Sequence, residues 1–117
     1  MQSFAAKGSG ETRFRTVALS KDLIDAGVTF TAPTTTAERY SGKPDASPAD
    51  ILAGDPQMNS QATTVKDVAV GVNQAVIQSV TGGVAGTTYV IRFNDTLSNG
   101  EAWEEDVLQP VTEYVPP

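Results

Sequence analysis

The sequence predicts an all-β fold, an antiparallel β-sandwich with at most one or two single-turn helices in its loops. Three observations carry that prediction. The composition is led by Thr, Val, Ala, Ser and Gly, with 39% hydrophobic and 19% charged residues, which is the mix of strands and turns. Apolar side chains alternate with period two and nowhere sustain a helical period, most clearly at residues 87–95, where Tyr89, Ile91 and Phe93 fall on one face against Val90, Arg92 and Asn94. Gly, Pro and Asn clusters punctuate the runs. A chain of 117 residues buries enough surface for one core, so a single domain is expected over 11–115, preceded by an arm.

Taken in order, residues 1–10 are small, polar and Gly-rich with Phe4 as the one large apolar side chain after Met1, and they read as a flexible arm. Residues 12–19 form a first strand in which Phe14, Thr16 and Ala18 share one face and Arg13 and Arg15 take the outer one. Residues 20–27 run from a capping Ser20 to Gly27 and suit one helical turn or a wide loop. Residues 28–36 are β-branched and aromatic but hold Pro33, which confines them to an edge strand or breaks the strand. Residues 40–61 are a long crossing loop in which Ser47, Pro48 and Asp50 start one helical turn, Ile51 and Leu52 face the core and Gly54 ends it.

The second half is more regular. Residues 63–72 and 74–80 are β-rich runs, with Val76, Gln78 and Val80 on one face and Ile77 on the other. Thr81, Gly82 and Gly83 turn the chain into the run at 87–95, Asn99-Gly100 signals a hairpin, and 101–111 returns as the last strand with Trp103, Val107 and Leu108. Residues 115–117 read as an extended tail.

The absences bound the chemistry. No cysteine and no histidine occur, which removes disulfides, thiolate nucleophiles, the usual neutral-pH general base and most zinc sites. The expectation is therefore a protein that is not an enzyme and needs no cofactor or metal. A net charge of -6 repels phosphate backbones, so no nucleic-acid partner is expected. No apolar run approaches the ~20 residues of a membrane-spanning helix and no secretory leader is visible, so no membrane role is expected.

Several patterns have plain readings. Glu104 and Asp106 share a strand face and suit a solvated edge better than a cation site. Asp45, Asp50 and Asp55 lack the alternating spacing of an EF-hand loop. The glycines at 82, 83 and 86 lack the lysine and helix of a phosphate-cradling loop. Trp103 is either core or a partner anchor.

The stretch Val84-Ala85-Gly86-Thr87-Thr88-Tyr89-Val90-Ile91-Arg92-Phe93, followed by Asn99-Gly100-Glu101, resembles the penultimate-strand hairpin of immunoglobulin-like and fibronectin type III domains, in which Tyr89 would be a core anchor at a sandwich corner. Over residues 11–111 the order of a charged first strand, a Leu23-to-Phe30 step, a Val-rich pair, Gly82-Gly83 with Gly86 and Tyr89, and a Gly100-led final strand is similar to the small immunoglobulin-like structural proteins of tailed bacteriophages. Residues 17–22 depart from the Asp-Trp-Ser type of step common there.

The resemblance implies an immunoglobulin-like antiparallel β-sandwich. It implies a virion part made in the bacterial host cytoplasm: a capsid decoration or cement, neck or fibre-attachment subunit. Such a part docks on other virion structural proteins in multiple symmetric copies. An alternative is a carbohydrate- or cell-surface-binding module; an enzyme using two carboxylates ranks below both. Candidate interaction residues are Phe4 on the arm, Arg13 and Arg15 on the first strand, Tyr40 at the start of the long loop, and Trp103.

Overall fold

Tyr89, Ile91 and Phe93 are all fully buried, and the strand that carries them is the centre of the molecule. The computed structural model describes residues 1–113. In chain order the elements are β1 (Gln2–Ser3), β2 (Lys7–Gly8), β3 (Thr12–Ala18), α1 (Lys21–Asp25), β4 (Thr34–Gly42), a 3-10 turn (Pro48–Ile51), β5 (Gln57–Met58), β6 (Thr63–Val65), β7 (Val68–Val70), β8 (Ala75–Thr81), β9 (Thr87–Thr96) and β10 (Ala102–Thr112).

One sheet runs β4-β9-β10, with β1 and β2 both on the far edge of β10; a second runs β3-β8-β5; β6 and β7 make a separate hairpin. Between the two sheets lie Tyr89, Ile91, Phe93, Val107, Val111 and Ala37 from the first, Val17, Val76 and Val80 from the second, and Ile51, Leu19, Phe30 and Leu97 from the connections. Three strands on one side and a three-stranded core plus N-terminal edge on the other, in this order, make an immunoglobulin-like sandwich. The fold class expected from the sequence therefore holds. One departure is that β1 and β2 pair with β10 in parallel, while the main ladders are antiparallel.

Tyr89 fixes the corner before β9. Its hydroxyl accepts the Val84 N–H at 2.9 Å and donates to Asp45 Oδ2 at 2.6 Å, tying the turn at 82–86 and the long loop to one phenol. Gly83 packs so closely here, at φ +97, that a Cβ would press on Val111 at 3.0 Å and on the Tyr89 ring at 3.3 Å. Buried amides act as further pins: Gln78, on the apolar face of β8 as expected, accepts from Thr35 Oγ1 at 2.7 Å and donates to the carbonyls of Gly54 and Ser79. That satisfies every polar atom it buries, which the low dielectric of a core demands.

Both single-turn helices form where Ser20 and Ser47-Pro48 place them, and Ile51 is buried as expected. Pro33 does mark a boundary: β4 begins just after it as the edge of its sheet, while 28–33 is irregular. The strand runs on to Gly42, so Tyr40 sits in β4 at a bulge between Arg39 and Ser41, and the long loop starts later than the turn chemistry suggests. Residues 63–72 are a hairpin rather than one strand, because Lys66 and Asp67 both adopt positive φ (48° and 65°) and reverse the chain. The Asn99-Gly100 hairpin closes with Leu97 N–H on the Glu101 carbonyl at 2.8 Å and Gly100 N–H on the Leu97 carbonyl at 2.8 Å, the bonding of a three-residue loop. The expected tail at 115–117 lies outside the described residues.

Two expectations are corrected. Residues 1–10 do not stand off as a free arm: they lie along β10, with Gln2 opposite Val107, Ser3 opposite Leu108, Lys7 opposite Val111 and Gly8 opposite Thr112. The second correction is the register of β3. Its inward side chains are Arg15 and Val17, and Phe14 points outward with 75% of its surface exposed. Arg15 stays inside because acceptors and an aromatic ring meet it there, as described next.

Candidate docking surfaces

Four groups from distant parts of the chain close the flank of the sandwich between β10 and β3. Arg15 donates from Nε to Gln109 Oε1 at 2.7 Å and from its terminal nitrogen to the Ala5 carbonyl at 2.8 Å, and its guanidinium sits 5.5 Å from the centre of the Phe4 ring. Gln109, fully buried, also donates to the Ala5 carbonyl at 3.0 Å. The Phe4 ring meets Phe93 edge-on at 6.4 Å. Lys7 is buried with its ammonium on the carbonyls of Gly8 (2.7 Å) and Gly82 (2.6 Å).

Burial pulls the Lys7 ammonium below its ordinary pKa, against the opposing field of Glu11, and burial likewise lowers that of Arg15. Glu11 accepts the Gly8 N–H at 2.7 Å, the largest cause of its depressed pKa, and ion-pairs with Arg13.

The five candidate residues thus separate into three places. Phe4 and Arg15 share the closed flank, and Arg13 lies beside it in the exposed pair with Glu11. Tyr40 is on the opposite edge, 55% exposed at the β4 bulge. Trp103 is half-buried at the end of β10, packed edge-on to Phe30 with ring centres 4.7 Å apart. Trp103 also borders an open groove of about 490 Å³ with Thr31, Thr34, Asn94, Asp95 and Glu104. Asp95 is committed locally, accepting from the N–H groups of Thr31 and Ala32 and from the Thr31 hydroxyl.

The two outer sheet faces differ in charge. On the β4-β9-β10 face, Arg92 makes a two-pronged bond to Asp106 (2.9 and 3.1 Å) and lies 3.5 Å from Glu104, so the acid pair read from the sequence clamps an arginine. Donating to Asp106 raises the Arg92 pKa further. With Glu38 also on it, that face is net negative.

Outward residues of the other sheet are Thr12, Phe14 and Thr16 from β3, Ile77, Ser79 and Thr81 from β8, and Gln57 from β5; none is charged. Phe14 stands on the edge strand β3, opposite Ser79 of the central strand β8. The β6-β7 hairpin covers only one end, leaving a groove of about 330 Å³ against Thr16, Ala75 and Ile77. Phe14 is the surface residue that sequence reasoning assigned to the wrong side. The signal that would have placed it was the continuation Val17, Leu19, which puts the odd-numbered positions inside.

Among the described residues no group of three or more His, Cys, Asp or Glu side chains gathers in metal-binding fashion. Of the loop aspartates, Asp45 is taken up by Tyr89 and by the Ser47 N–H at 2.8 Å. Neither a protein-family model, nor a curated protein, nor a solved structure matches the chain.

Proposed function

We propose that this protein is a non-catalytic structural subunit of a tailed bacteriophage virion, a decoration, cement, neck or fibre-attachment part that works by docking on other virion proteins in repeated copies. The resemblance of residues 11–111 to such proteins selects the setting. The observation that carries the docking itself is the uncharged face of β3-β8-β5 with Phe14 exposed on its edge strand β3, on a chain whose net charge is -6. An acidic protein stays soluble through its charge, and a neutral patch with one aromatic is where a partner approaches without paying for desolvated carboxylates. The aromatic supplies the buried area that interface hot spots concentrate.

The test is co-sedimentation of the purified chain with intact particles from the culture that encodes it, beside binding to a panel of glycans. Saturable association with particles supports the proposal. A chain that binds glycans and never particles overturns it in favour of a carbohydrate-binding module.

A further inference from the structure

We propose that residues 1–8 form an exchangeable strand, and that the slot they fill between β10 and β3 accepts the same segment from a second copy of this chain. The occupant is fixed by fit, since the slot already holds this sequence. Phe4 N–H bonds the Leu108 carbonyl at 2.8 Å, Arg15 and Gln109 converge on the Ala5 carbonyl, Lys7 reaches the Gly82 carbonyl, and Phe4 abuts Phe93.

Each of those contacts joins the segment to a part of the chain that another copy presents identically. The one covalent constraint is the short turn at residues 8–11, Gly-Ser-Gly-Glu, closed by the Glu11 N–H on the Gly8 carbonyl at 3.0 Å and the Gly8 N–H on Glu11. Two glycines make that turn easy to extend. Exchange therefore exchanges equivalent contacts, and its net cost is the turn and the entropy of association. High protein concentration offsets the second. Lys7 adds a positive charge to the segment, which suits approach to an acidic chain. The inference concerns the isolated protein and stands apart from the virion proposal.

The chain lacks cysteine, so disulfide trapping is clean. Ser3 lies directly opposite Leu108 in the parallel pairing, at a spacing a disulfide bridges. Full-length chains carrying Ser3→Cys are mixed with chains carrying Leu108→Cys, held at high concentration close to the melting temperature, cooled and oxidised. A doubly substituted chain is oxidised alongside.

Exchange yields a covalent heterodimer in clear excess over its statistical share against the two homodimers, and the double variant closes within one chain when dilute. If the double variant closes internally while the mixture gives only statistical cross-linking, the segment stays at home and the inference is overturned. If the double variant fails to close, the register that defines the slot is wrong and the inference falls with it.

Discussion

Phe93 and Phe14 are two phenylalanines whose environments are opposite, one with no exposed surface and the other 75% exposed. Phe93→Ala is expected to cost about 3–5 kcal/mol in denaturant unfolding, because it opens a cavity beneath Phe4. Phe14→Ala is expected to stay within about 0.5 kcal/mol. Tyr89→Phe strips the acceptor from the Val84 N–H, a loss on the order of 1–3 kcal/mol.

Asp45 adds a pH signature. The Tyr89 hydroxyl, first, and the Ser47 N–H hold its carboxyl below the ordinary value of 3.8. Its stabilisation is therefore present above that value and is lost as pH falls through the folded pKa. Tyr89→Phe should correspondingly weaken the acid limb of the stability profile.

Glu105 has the opposite sign. It faces inward opposite Phe93, and burial raises its pKa above 4.5 despite Lys66. The folded state thus disfavours the charged form, a penalty that grows as pH rises through the ordinary carboxylate range. Glu105→Gln is expected to raise the melting temperature at neutral pH, with the gain vanishing in acid. At this scale Tyr89 and Gln78 were legible, since each sits in phase with apolar neighbours. Arg15 was not, because its acceptors at Ala5 and Gln109 are supplied by remote chain.

At the scale of elements, the segment at 1–8 matters most. Deleting residues 2–7 removes the packing of the half-buried Phe4, worth less than the ~1.5–3 kcal/mol of a fully buried side chain, and leaves Arg15 without the Ala5 carbonyl. The expectation is a lower unfolding midpoint, in contrast to a frayed terminus, whose removal leaves the midpoint in place.

The strand β9 and its hairpin to β10 were legible because alternation, flanking glycines and Asn99-Gly100 all agree. The segment at 1–8 was not, because a Gly-rich stretch that pairs for only two residues at a time carries no period. The turn at Lys66-Asp67 was hidden for a related reason: both residues take positive φ without the Asn-Gly or Asp-Gly signature that usually marks such a turn.

At the scale of the molecule, two sheets present faces of different character: one negative, with Arg92 clamped by Asp106 and near Glu104, the other neutral around Phe14. Docking through the neutral face is the central claim. The β-sandwich was foreshadowed by the strand patterns, whereas the face was hidden by the one-residue error in β3, since a slip of one flips every side chain. The most direct measurement is incorporation of Phe14→Asp into particles, scored by co-sedimentation at matched concentration with the melting temperature recorded beside it. The account predicts an unchanged melting temperature and at least a tenfold loss of bound protein, about 1.4 kcal/mol; a folded Phe14→Asp chain that binds particles as well as the parent would contradict it.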